Sequence, residues 1–276
     1  MKICINGTFV DEKKAKISAL DNGFLYGDGI YDTMRTYNGK ILELDLHLKR
    51  IKKSTEKIGI KCPWSLKEIE QWINTLCAVN RLETARVRVT ITRGDNGFDF
   101  LSSKKPLLVI TSEKLVIDPK VYSKGVNAET IQLERILPEI KTVGLTAMLV
   151  AYRQILPKKI YEAILVDDKG FVLEGASTNV FFVKNGRVYT PAKKMLPGLT
   201  RARVMALVKE MKLPMKIGNF KVNELMKAEE IFLTNRPREI IPVVCLNGKK
   251  VGNGRVGSYT KKIMEAYREY ALKNTK

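Results

Sequence analysis

Residues 161–191 read YEAILVDDKGFVLEGASTNVFFVKNGRVYTP, short runs of branched and aromatic residues broken by clusters of turn formers. Apolar runs of this length, bounded by Asp, Gly, Ser and Asn, are strands. The Asn185-Gly186 step marks a two-residue hairpin between two of them, because both central residues of a type I′ turn need positive φ. The same step recurs at Asn6-Gly7, Asn38-Gly39 and Asn247-Gly248, so antiparallel sheet is expected in both halves of the chain.

Working outward, helices fall between the strands in groups. Leu44, Leu48, Ile51 and Ile58 mark one helix face, and the Ser65 to Glu68 capping box opens a second helix through Ile69, Trp72, Ile73 and Leu76. Arg86–Thr92 and Pro106–Thr111 read as strands. A further strand lies in VNAETIQLER, followed by a helix from about Thr142 to Leu156. Another helix starts beyond Pro197-Gly198, and a last amphipathic helix uses Ile263, Met264, Tyr267 and Leu272. Strands grouped with helices, without strict alternation, favour two α+β domains over a doubly wound sheet. The segment around Asp118-Pro119 reads as a connector, which divides the chain into residues 1–115, a connector at 116–123, and residues 124–276.

Composition narrows the chemistry. The 276 residues carry 49 Lys plus Arg against 29 Asp plus Glu, a net charge of +20 that would attract nucleic acid, membrane surfaces or anionic small molecules. The lysines are dispersed and lack interleaved aromatics, so solvated surface charge is favoured over a nucleic-acid platform. No run approaches the ~20 apolar residues of a membrane span, and the N-terminus lacks the apolar core of a signal peptide. Cys4, Cys62, Cys77 and Cys245 form no CxxC pair, and His47 is the only histidine, so no metal site is expected. A cytoplasmic protein is expected, with chemistry resting on Lys, Arg, Glu, Tyr or a cofactor.

Several residues could carry that chemistry. Gly27-Asp28-Gly29 lacks the spacing of a phosphate loop and reads as a tight turn. His47 and Arg50 share a helix face, where Arg50 could hold a phosphate or both could be solvated. Lys141, flanked by Ile140 and Val143, is either a Schiff-base lysine or one more surface lysine. Glu174 ends an apolar strand, an odd place for a charge without a cationic partner. Pro197-Gly198-Leu199-Thr200 enters a helix whose free amides and Thr200 hydroxyl form either an anion cradle or an N-cap.

In order and spacing, GFLYGDGIYDTMRTYNG, LHLKR, the Lys141 segment, LEGASTNVFFVKNGRVYTP, LPGLTRARV and EIFLTNRPREIIPV resemble the class IV, or fold type IV, pyridoxal-phosphate aminotransferases. That family contains D-amino acid transaminase, branched-chain aminotransferase and aminodeoxychorismate lyase, and the resemblance spans almost the whole chain. It implies a two-domain α+β fold of the D-amino acid aminotransferase type, pyridoxal 5′-phosphate as cofactor, and a homodimer. It also implies roles for individual residues. Lys141 would be the Schiff-base lysine and the acid/base of the proton shuttle. Glu174 would pair with the pyridinium nitrogen. Arg50, the amides of Leu199 and Thr200, and the Thr200 hydroxyl would bind phosphate. Leu196 would lie behind the ring beside Asn179, and Asn235 and Arg236 would belong to a second phosphate loop.

The substrate side departs from each subfamily. Arg35 and Arg88 match substrate-side arginines of branched-chain enzymes, and Tyr31 matches a tyrosine of D-amino acid transaminases. Thr146 stands where branched-chain enzymes carry a tyrosine, and Asn235-Arg236-Pro237 replaces their Gly-Thr-Ala loop. Phe98 and Phe100 replace the Arg-x-His carboxylate trap of D-amino acid transaminases, which leaves Arg88, Arg35 and Arg238 as candidates for carboxylate recognition. EGASTN and KTVGLT favour a transaminase of D-amino acids acting with 2-oxoglutarate or pyruvate. A branched-chain L-amino acid aminotransferase and an aminodeoxychorismate lyase are the alternatives within the family. A non-catalytic nucleic-acid binder is the alternative outside it.

Overall fold

The Asn-Gly steps at 6–7, 38–39, 185–186 and 247–248 turn the chain as their chemistry demands. In the computed structural model, which describes residues 1–275, both residues of each step have positive φ, from 48° at Asn6 to 85° at Gly7. Each closes an antiparallel pair of strands.

The chain divides into two compact units, the first comprising residues 1–115, 140–144 and 271–276, and the second residues 116–139 and 145–270. The first unit contains β1 (Lys2–Ile5), β2 (Thr8–Asp11), α1 (Asn22–Tyr26), β3 (Gly29–Tyr37), β4 (Lys40–Ile41), α2 (Leu44–Lys57), α3 (Leu66–Asn80), β5 (Ala85–Thr92) and β6 (Leu107–Lys114). Its six strands form one antiparallel sheet in the order β2-β1-β6-β5-β3-β4. α3 begins at the expected capping box, with Ser65 and Glu68 bonding each other's backbone amides. Period-two alternation on β5 sends Ala85, Val87, Val89 and Ile91 into a core with Ile30 and Met34 of β3, Leu48 and Ile51 of α2, and Ile69, Ile73 and Leu76 of α3. Arg86, Arg88 and Thr90 therefore face the other way, and on β3 so do Tyr31, Thr33 and Arg35.

The second unit contains α4 (Lys120–Ser123), β7 (Val126–Gln132), α5 (Thr146–Ile155), β8 (Glu162–Val166), β9 (Val172–Gly175), β10 (Asn179–Lys184), β11 (Arg187–Pro191), α6 (Leu199–Glu210), β12 (Met215–Gly218), α7 (Val222–Leu225), β13 (Glu230–Asn235), β14 (Glu239–Leu246), β15 (Lys249–Lys250) and most of α8 (Ser258–Lys273). Its sheet runs β12-β11-β10-β13-β14-β7-β8-β9, with β15 also on β14. β7 pairs in parallel with both β8 and β14, whereas the hairpin strands pair antiparallel. No helix among the described residues is long and apolar enough to cross a membrane.

Three expectations change. The helix expected from about residue 142 begins at Thr146, because residues 141–143 are held extended against β3: Tyr31 N donates to Lys141 O at 2.8 Å and Val143 N to Gly29 O at 3.0 Å. The same pairing places Lys141 in the first unit, although the sequence division put it in the second half. Local periodicity cannot report a bridge to a strand 110 residues earlier. In α8 the buried stripe is Ile263, Tyr267 and Ala271, while Leu272 is largely exposed.

Candidate active site

In the first unit, chemistry gathers on both faces of β3. On the outward face, the Arg88 guanidinium lies 3.8 Å from the centroid of the Tyr31 ring, and Lys141 Nζ lies 4.9 Å from the same centroid. Arg88 Nε also donates to Thr90 Oγ1 at 3.2 Å. Burial pulls the Arg88 pKa down; Tyr31 partly offsets this, and neighbouring Arg86 adds to it. Neither Arg88 nor Lys141 forms an ion pair with a carboxylate among the described residues. Two cations against one aromatic ring, one of them partly desolvated, make a locus of positive potential. Arg35, on the same face of β3, lies 4.6 Å from the Tyr37 centroid.

On the inward face of β3, Asp32 is buried between Ile30 and Met34 in strand phase. Arg50 of α2 grips it with two bonds, Nε to Oδ2 at 2.7 Å and Nη2 to Oδ1 at 2.8 Å, and His47 Nδ1 lies 2.8 Å from Oδ1. Burial alone would push the Asp32 carboxyl up, but Arg50 and then His47 outweigh it and hold it well below the usual carboxylate range. The sequence reading paired His47 with Arg50 and overlooked Asp32. Its signal was available: an acid on the apolar phase of a strand, followed by a helix carrying Arg and His on one face.

In the second unit, Glu174 at the end of β9 has the cationic partner that its position demanded. Arg135 Nε donates to Oε1 at 2.7 Å, and Leu196 N donates to Oε2 at 2.9 Å. The Leu196 carbonyl accepts from Asn179 Nδ2 at 2.8 Å, so the Leu196 peptide is held from both sides. Gly198 follows where space allows nothing larger, since a Cβ there would lie 2.0 Å from Asn179 Oδ1.

α6 then opens on Leu199 and Thr200 with no side-chain cap at Gly198. The first-turn amides have no acceptor within the helix. The Thr200 hydroxyl is buried and without a hydrogen-bond partner in the structure. Amides, helix dipole and an orphaned hydroxyl fit a bound anion better than an N-cap, and so fit the phosphate of a cofactor. In the turn after β13, Asn235 Oδ1 accepts from Arg238 N at 2.8 Å, which gives Asn235 a role in shaping the loop. Arg236 Nη1 donates to the Tyr267 hydroxyl at 3.2 Å, and the Arg238 guanidinium lies 5.3 Å from the Tyr161 ring.

A buried polar chain that the sequence did not reveal runs behind the 175–179 loop. Tyr152 OH donates to Ser177 Oγ at 2.8 Å, and Ser177 Oγ donates to Glu162 Oε2 at 2.8 Å. Burial pushes the Glu162 carboxyl up, countered in part by Ser177, Tyr152 and the charge of Arg238. The Tyr152 phenol is likewise raised by burial, and Glu162 adds to the shift.

The Amino-transferase class IV family matches residues 29–245, and the chain belongs to that family. A putative branched-chain-amino-acid aminotransferase of Methanocaldococcus jannaschii is 34% identical, over 99% of this chain and 97% of its own length. A D-alanine aminotransferase of Staphylococcus haemolyticus is 30% identical, over 98% and 97%. Among solved structures, a branched-chain amino acid aminotransferase of Escherichia coli superposes with a TM-score of 0.94 at 25% identity, covering 100% of this chain and 96% of that one. The fold is that of fold type IV, and the protein is an aminotransferase using pyridoxal 5′-phosphate, the cofactor of the class.

Proposed function

We propose that the protein moves an amino group between an α-amino acid and a 2-oxo acid, with Lys141 as its catalytic acid/base and Arg88 as the anchor of the substrate carboxylate. The observation that carries this reading is the shared Tyr31 ring, which brings a carboxylate-free guanidinium and the candidate catalytic lysine together. When bound, pyridoxal phosphate supplies an electrophilic carbonyl for a lysine and an electron sink for the α-carbon. Lys141 then takes and returns the α-proton. Arg50, oriented by its two bonds to Asp32, and separately Leu199, Thr200 and the 235–236 loop are the residues assigned to phosphate. Glu174 is assigned to the pyridine nitrogen, with Leu196 and Asn179 beside the ring.

D-amino acids are the first donors to test, given Tyr31, the EGASTN loop and the Staphylococcus D-alanine relative. Branched-chain L-amino acids are the second reading, favoured by Arg35, Arg88 and the Methanocaldococcus relative. Single-turnover reactions with D- and L-amino acids, followed through cofactor absorbance at 410–430 nm, separate the two. Bleaching by D-alanine but not L-leucine supports the first reading, and the reverse result supports the second. Borohydride reduction followed by peptide mapping checks Lys141, and cofactor trapped on another lysine rejects it.

A cytoplasmic homodimer completes the proposal. Its support is an exposed aromatic cluster in the first unit, where Tyr26 packs at 5.4 Å against Phe100 and Phe98 is 83% exposed. An exposed apolar cluster of this kind supports the reading of an interaction surface there. Sedimentation of a fully active monomer would reject the dimer.

A further inference from the structure

Glu174 is buried, and the structure shows how such a carboxylate is kept in one orientation. The terminal torsion of a glutamate is broad and roughly two-fold, so a single hydrogen bond leaves the carboxylate plane loosely set. Here the two oxygens are held by two different elements: Oε1 accepts from Arg135 at 2.7 Å, and Oε2 accepts from the Leu196 amide at 2.9 Å. Arg135 is itself fixed, because its Nη2 donates to the carbonyl of Pro138. Its side chain is mostly buried, with 17% of its surface exposed. The nearby acids do not compete for it, since Glu134 and Asp167 both pair with Lys194. Arg135 therefore stands between the Glu174 carboxylate and a chain segment that leads, three residues after Pro138, to Lys141.

We infer that Arg135 is a positioning residue for the proton-transfer step, acting through Glu174. The inference rests on the reading of Glu174 as the partner of the pyridine nitrogen. A charge-assisted bond from a guanidinium sets both the direction of the carboxylate and its charge, which a neutral amide does not reproduce. Loss of Arg135 leaves Oε2 on the Leu196 amide but removes the charge-assisted bond to Oε1, so the carboxylate plane is less firmly set while substrate binding is spared.

The test compares R135Q, R135K and E174Q with the parent holoenzyme. Each is read by its cofactor absorbance spectrum, its cofactor dissociation constant, and single-turnover rates with α-protiated and α-deuterated amino acid. In R135Q the proton-transfer rate should fall by about 10- to 100-fold. Its isotope effect should rise, its spectrum should shift in the same sense as that of E174Q, and its KM should stay within about threefold. R135K, which keeps the charge but loses the fork, should lie between R135Q and the parent, and it carries the test alone if R135Q does not fold.

A purely structural role predicts a lower melting temperature or occupancy with parental spectrum and isotope effect. That result, in R135Q or R135K, overturns the inference. If E174Q changes the spectrum and isotope effect while the Arg135 variants do not, only Arg135 is misassigned. If E174Q itself changes neither, the reading of Glu174 fails and this inference with it.

Discussion

The two faces of β3 handle charge in opposite ways. Inward, Asp32 receives two bonds from Arg50 and lies beside His47, so positive and negative charge cancel within a buried cluster. Outward, one residue earlier, Tyr31 carries Arg88 and Lys141 against a single ring with no carboxylate ion-paired to either. Side chains alternate along a strand, so a shift of one residue moves from a neutralised cluster to an unneutralised one. The inward pairing fixes the orientation of the Arg50 guanidinium. The outward cations, with no carboxylate among the described residues ion-paired to them, leave a positive potential at the Tyr31 ring.

Substitutions at four positions break or sharpen this contrast. K141A should remove transamination, lowering turnover by at least ~10³-fold, as the loss of both a covalent anchor and an acid/base requires. A stopped assay with purified, correctly folded variant checks it.

D32A leaves Arg50 and His47 buried without their anion. Breaking one side of a buried pair costs about 3–5 kcal/mol, which denaturant unfolding would measure. The pH dependence has a definite sign. The folded-state pKa of Asp32 is depressed, so its contribution is full above the ordinary carboxylate value of about 4 and declines as pH falls below it. In D32N this acid-side loss should be absent, and an unchanged acid limb would contradict the pairing.

On the outward face, R88A should raise KM for amino and oxo acids by about 10- to 100-fold and leave cofactor absorbance intact. Comparison of 2-oxoglutarate with pyruvate locates the contact: an effect confined to 2-oxoglutarate marks a side-chain carboxylate, and no effect removes Arg88 from the substrate site. The smallest change is expected two residues away. Arg86 shares the strand face but is half exposed and pairs with Glu113 at the surface. R86A should therefore cost no more than about 1 kcal/mol and leave KM unchanged, which makes it the control for Arg88.

Much of the site could be found from single segments because its residues are local exceptions. Glu174 at the end of an apolar strand implied a cation, and the structure supplies Arg135, whose identity no spacing rule predicts across 39 residues. Pro197-Gly198-Leu199-Thr200 left an anion cradle and an N-cap both open, and the orphaned Thr200 hydroxyl is an observation that only the structure supplies. Ser177 and Glu162 are not legible in the sequence, because a buried polar side chain cannot be told from an exposed one until its neighbours are known. Arg238 drew attention as a loop arginine, and packing sets it against Tyr161.

What the sequence determined by itself was local chemistry. The Asn-Gly turns, the Ser65 capping box and the alternation along β5 act over two to eight residues, within reach of backbone sterics and side-chain spacing. The order of motifs along the chain likewise carries the resemblance to the family. Only the tertiary structure decided which faces meet. It tied Lys141 to β3 instead of to the helix that follows, and it set Arg88 on the Tyr31 ring. It also closed Asp32 inside a pair of cations. Those pairings are long-range, and their energy comes from desolvation and complementary charge between segments that the one-dimensional pattern does not juxtapose.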